Sequence, residues 1–247
     1  VVNERAGILQ SLHPAGWGLA VSALAALLGG QLPQAWAGTA VAALFLGSAY
    51  WLALWPNQPA KPWGLALGGL LEQEPLDARR CSRAALSALA MGSLALLVVA
   101  PGYTVGFVLW HRPEQPFELG RAFFLDHGPA GLWSLLDLAL GHLLVVALPE
   151  EAFFRGYLAS ALDRRYVPKL TLWGAQLGPG LFWTSVLFAL GHFLSIPDPG
   201  RLAVFFPSLL FGWLRAKTGG IGASIVCHAL CNLYVIMLGA GYGLALG

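Results

Sequence analysis

The stretch LWSLLDLALGHLLVVALPEEAFFRGYL, residues 132–158, decides the fold class. As far as Leu148 it is apolar enough for the hydrocarbon core of a bilayer, which takes about 20 mostly apolar residues. Directly after it come two adjacent carboxylates, Glu150 and Glu151, and a guanidinium, Arg155. Charges at such a depth cost about 2.5–3.5 kcal/mol each on insertion scales, so they are candidates for function.

The rest of the chain agrees with a membrane setting. Of 247 residues, 57% are hydrophobic and 11% charged, against about 25% charged in soluble domains. Mean hydropathy is +0.67. The net charge of +2 offers nothing to nucleic acid. Cys81, Cys227 and Cys231 are too few, in too apolar a setting, for a disulfide framework. No cleavable signal peptide is visible. The opening VVNERAG lacks an initiator Met, as if a few residues precede it.

The pattern predicts an all-α, polytopic transmembrane helical bundle of about seven spans: 15–32, 37–55, 84–110, 131–162, 180–196, 201–216 and 220–243. The fifth and sixth are short. The fourth is too long for one crossing, and Pro149 is placed to kink it. WGLALGGLL (63–71) is too short to span and reads as interfacial. Two regions are expected: N-terminal helices with an interfacial segment and linker, 1–130, and a helical core carrying the charged motifs, 131–247.

Loop charges predict an orientation. Lys61, Arg79, Arg80, Arg83, Arg164, Arg165, Lys169, Arg215 and Lys217 fall on one side, and Arg112, Arg121 and Arg201 on the other. The positive-inside rule puts the first group, and with it the N-terminus, in the cytoplasm; a cell inner membrane is the expected location.

Glu151 and Arg155 are i and i+4 on a helix and can pair. Glu150 points about 100° away, is left without that partner and suits a general base; the alternative on this stretch alone is that all three charges form a structural knot or sit at a wet helix end. LFALGHFL puts Phe188 and His192 four apart, and CHALCNLY does the same for His228 and Asn232. Counted from the nearest loops at 1.5 Å per residue, all these polar groups sit roughly 12–20 Å from the same side. Cys227 and Cys231 read as small core residues. His13, His111 and His127 read as solvated. His142, a turn or two before the carboxylates, reads by default as a lone packing histidine, with a place lining the site as the lesser alternative. The aromatics of FFPSLLFGW (205–213) read as lipid-facing or interfacial.

EEAFFR, FALGH and HALCN resemble the three motifs of the CPBP family, Glu-Glu-x-x-x-Arg, Phe-x-x-x-His and His-x-x-x-Asn. That family includes the type II CAAX prenyl endopeptidases, which are Rce1-like glutamic intramembrane proteases, and the myxosortases. Each motif alone is weak; all three, in order on successive apolar segments, are specific. The resemblance covers roughly residues 140–240.

It implies a hydrolase with no cofactor and no metal. Glu150 would be the general base and His192 its partner on the attacking water. His228 and Asn232 would be the oxyanion donors, with Glu151 and Arg155 as a supporting pair. The implied partners are membrane lipid and a lipidated or membrane-anchored protein substrate. Two other readings stay open on the residues: a zinc site of Glu150, His192 and His228, and a non-enzymatic immunity-type or proton-relay protein. An Asn at the site favours the oxyanion hole over the relay.

Overall fold

The structure, a computed structural model, describes residues 13–55, 57–72, 75–123 and 128–244. His127 lies outside them. The described residues form eight α-helices and one small hairpin. Helix α1 is Pro14–Gln31, begun by Pro14 at N1 and by His13, whose Nδ1 accepts the Ala15 N–H. Helix α2 is Gln34–Ala49 and runs on through a wide turn to Leu54. Helix α3 is Ala78–His111, capped by Asp77, and α4 is the single turn Leu119–Ala122.

Helix α5 covers 128–165 and is not uniform. Gly128–Gly141 and Leu148–Glu151 are separated by a wide turn, His142–Ala147. A second wide turn, Ala152–Leu158, precedes Ala159–Arg165. Their ends carry i→i−5 hydrogen bonds, Leu148 N–H to Leu143 O and Ala159 N–H to Phe154 O. Pro149 follows the first wide turn directly. Its ring would clash with the carbonyl of residue 145 in a regular helix, and a widened turn relieves that.

A hairpin, β1 Leu170–Leu172 and β2 Ala175–Leu177, then reverses the chain, pairing Thr171 with Gln176. Trp173 and Gly174 both have positive φ, 50° and 79°, as a two-residue primed turn requires. This pair of strands inside an otherwise all-α architecture was not expected from the apolar pattern; the Trp-Gly dipeptide was its signal. Helices α6 (Pro179–Ser195), α7 (Phe205–Thr218) and α8 (Gly222–Gly241) complete the bundle, with a 3₁₀ turn, Pro199–Val204, leading into α7.

All seven expected spans fall on helices. Among the described residues, four are long and apolar enough to cross a membrane: Gln34–Leu54, Ala78–His111, Ala130–Arg165 and Gly222–Gly241. The protein is an integral membrane protein of the all-α class; these four helices meet the length and apolarity of a full crossing, and the expected number of seven is not confirmed.

The helices pack α1 on α6 and α2, α8 on α3 and α7, and α6 on α7. One buried cluster joins α1, α2, α5, α6 and α8 through Val21, Phe45, Phe153, Phe154, Phe188 and Ile225. Its centre is a run of ring contacts: Phe45 on Phe153 at 5.6 Å, Phe153 on Phe154 at 5.1 Å and Phe154 on Phe188 at 5.0 Å. A second, smaller cluster joins α3, α7 and α8 through Ala95, Phe211, Leu214 and Cys227. Apolar side chains are also abundant outside, with Leu97, Val105, Leu109 and Trp110 of α3 all exposed. In water such a face would drive aggregation; against lipid tails it is the expected surface. The segment 63–71 is not laid out freely at the interface. Leu65 is buried in the first cluster and fills the space over Gly156 of α5.

Candidate active site

Glu151 is fully buried and Arg155 is 1% exposed. A charge pair so deep survives only if its remaining donors and acceptors are met. Arg155 Nη1 donates to Glu151 Oε1 at 2.9 Å, as the i, i+4 spacing predicts. Arg155 Nη2 donates to Ser208 of α7, to its Oγ at 2.7 Å and its carbonyl oxygen at 3.2 Å. The guanidinium also lies over two rings, Phe188 at 4.5 Å and Phe211 at 5.2 Å. Desolvated cation–π contacts of this kind are worth about 2 kcal/mol. The pair is therefore a junction of α5, α6 and α7.

His228, 3% exposed, enters the same junction from α8. Its Nδ1–H donates to Glu151 Oε1 at 2.9 Å, the oxygen that also accepts from Arg155. Its ring stacks on Phe211 at 4.8 Å and 14°, and meets Phe188 edge-on at 5.8 Å. That leaves Nε2, which faces Glu150 Oε2 at 3.8 Å. His228 thus bridges the two adjacent carboxylates, one ring nitrogen to each. Glu150 Oε2 is buried and has no hydrogen-bond partner in the protein. A polar pair facing at more than 3.5 Å is spaced for a bridging water.

His192 is half-buried on α6. Its Nδ1 lies 3.0 Å from the Phe188 carbonyl oxygen, one turn back. A carbonyl only accepts, so the proton of the neutral ring is on Nδ1 and Nε2 is left as an acceptor. The ring lies within electrostatic reach of Glu150 and His228. Asn232, half-buried one turn after His228 on α8, directs its amide nitrogen at His142 Nδ1, 3.5 Å away. His142 in turn lies within electrostatic reach of Glu150 and His228.

The bundle thus gathers all six residues singled out in the sequence, Glu150, Glu151, Arg155, His192, His228 and Asn232, from α5, α6 and α8. Three further residues join them. Ser208 and Phe211 come from α7, so the aromatics of 205–213 do not all face outward: Phe211 is 2% exposed while Phe206 is 70% exposed. The third is His142, which is no isolated packing residue. Among the described residues no three His, Cys, Asp or Glu side chains converge as a metal-holding group. Cys227 is fully buried in the α3–α7–α8 cluster.

Residues 131–234 match the family model described as Type II CAAX prenyl endopeptidase Rce1-like. The match takes in α5 from its first turns, all of α6 and α7, and α8 past Asn232. Neither a curated protein nor a solved structure matches the chain. The matched segment, residues 131–234, holds every residue of the polar junction described above.

Proposed function

We propose that the protein is an intramembrane endopeptidase of the glutamic type, with Glu150 as general base. The observation that carries this is an unpartnered carboxylate oxygen on α5, Glu150 Oε2, facing His228 Nε2 of α8 at 3.8 Å, with His192 of α6 within electrostatic reach of the same glutamate. A water held between Glu150 and the free nitrogen of His192 gives its proton to the carboxylate and attacks the scissile carbonyl. The negative charge that develops on the carbonyl oxygen meets the Asn232 amide N–H. His228 contributes through Nε2–H when that nitrogen is protonated, because its Nδ1–H is committed to Glu151. The proton taken by Glu150 then passes to the leaving amine. Glu151 and Arg155 touch no reacting atom; they hold His228 in place.

The substrate class we infer is the C-terminal tail of a lipidated or membrane-anchored protein, which would bring its peptide bond to this depth. The loop charges favour a cytoplasmic N-terminus in a cell inner membrane. The test is cleavage, in detergent, of a fluorogenic peptide ending in a farnesylated Cys-aliphatic-aliphatic-X tail, alongside its unmodified counterpart. Wild-type protein cleaves and Glu150→Gln does not. Cleavage survives excess EDTA and 1,10-phenanthroline, because no step uses a Lewis acid. Activity lost to chelator and restored by zinc would favour the zinc reading. Failure to cleave either peptide would favour a non-enzymatic role.

A further inference from the structure

We propose that His142 is a positioning residue that sets the orientation of Asn232 for its part in the oxyanion site. The inference rests on the role proposed above for Asn232. It begins with a contact between side chains 90 residues apart in sequence, Asn232 Nδ2 and His142 Nδ1 at 3.5 Å. That is the long end of hydrogen-bond distance. An amide nitrogen only donates, so Nδ1 accepts and the ring proton sits on Nε2. One Asn232 N–H is then taken by the histidine, and the other is left to point at a reacting carbonyl.

The second observation is how His142 reaches this place. In a regular α-helix, eight residues turn the chain about 80° past two full turns, so His142 and Glu150 would sit at opposite edges of one face. The wide turn His142–Ala147 absorbs one residue without adding its rotation. The separation becomes about 20°, and both side chains look toward α8. Wide turns are frequent at functional sites, and this one brings a fifth polar side chain to Glu150, His192, His228 and Asn232. A free carboxamide can rotate and present either its oxygen or its nitrogen to the substrate. Held by a neutral imidazole acceptor it presents nitrogen, the atom that stabilises an oxyanion.

The experiment is a double-mutant cycle on kcat and KM with the farnesylated fluorogenic peptide, with melting in detergent as the folding control. His142→Leu lowers kcat about tenfold and leaves KM and melting temperature nearly unchanged. His142→Asn places an acceptor oxygen near the position of Nδ1 and recovers most of the rate, an effect that a packing role would not predict. In the Asn232→Ala background, His142→Leu costs nothing more, because the two act as one unit. An unchanged kcat in His142→Leu beside an impaired Asn232→Ala overturns this proposal alone, as does a loss that multiplies with that of Asn232→Ala. A fully active Asn232→Ala overturns the oxyanion assignment itself, and this proposal with it. If His142→Leu melts early, His142→Asn decides: a rate as low as that of Asn232→Ala overturns the proposal, and a recovered rate supports it.

Discussion

Two neighbouring glutamates in this chain meet opposite surroundings. Glu151 is fully buried, and its Oε1 accepts from Arg155 and His228. Glu150 is half-buried, with one oxygen that nothing in the protein satisfies. The same substitution should therefore do different things at the two positions. Glu150→Gln replaces an unpaired carboxylate by a neutral amide that is cheaper to bury. Its melting temperature should be unchanged or higher, while cleavage falls about 10²–10⁴-fold, the usual worth of a general base. Glu151→Gln leaves Arg155 as an uncompensated buried cation, and breaking such a pair costs about 3–5 kcal/mol. Its first symptom should be early melting and low yield. Adding Arg155→Met should restore part of the stability without fully restoring cleavage, since a neutral amide oxygen holds the His228 Nδ1–H more weakly than the carboxylate does. Thermal melts and peptide cleavage for the three variants decide the assignment. A Glu150→Gln protein that cleaves normally, beside a well-folded but inactive Glu151→Gln, would move the base to Glu151.

Helix–helix packing sets which glycines matter. Gly92 of α3 lies against α8, where a Cβ would come within 2.8 Å of Val226 Cβ and 2.9 Å of the Ala223 carbonyl oxygen. A backbone oxygen cannot step aside as a flexible side chain can. Gly106, further along the same helix, has no such neighbour. Alanine at the two positions should therefore have opposite effects. Gly92→Ala should destabilise by the about 1–3 kcal/mol typical of overpacking. Gly106→Ala should be neutral, or stabilising by up to about 1 kcal/mol from helix propensity. Melting of both variants in one detergent checks this, and equal shifts would mean that α3 and α8 do not pack this closely. The wide turns of α5 belong to this scale too: each changes which residues share a face without breaking the helix.

For the whole molecule, the polar junction lies among helices whose outer faces are apolar, so the protein presents lipid with Leu and Trp and keeps its charges inside. The proposed orientation follows from loop charge and makes a direct prediction. Lys169, next to the hairpin, and Glu114, after α3, are both exposed. On the inferred topology they lie on opposite sides of the membrane. In a background with Cys81, Cys227 and Cys231 replaced by serine, a cysteine at Lys169 should react with a membrane-impermeant maleimide only after the cells are opened. A cysteine at Glu114 should react in intact cells. The reverse pattern would invert the topology, and labelling of both from outside would change the number of crossings.

The sequence by itself determined the membrane setting, the helical class and the pairing of Glu151 with Arg155. Hydropathy and the 3.6-residue period act locally, and an i, i+4 contact needs nothing but a helix. The identity of the polar residues was also legible, because a bilayer makes a stray charge or amide expensive enough to stand out. Tertiary structure alone decided what each of them touches. That His228 spends Nδ1 on Glu151 and turns Nε2 to Glu150 depends on the crossing of α8 with α5. That Phe211 turns inward, against its apparent place in a lipid-facing run, depends on the stacking of His228 and Arg155 over it. His142 is the clearest case. A regular helical wheel sets it about 80° from Glu150, and one extra residue in a widened turn, invisible to any fixed period, brings the two nearly into line on the side of Asn232.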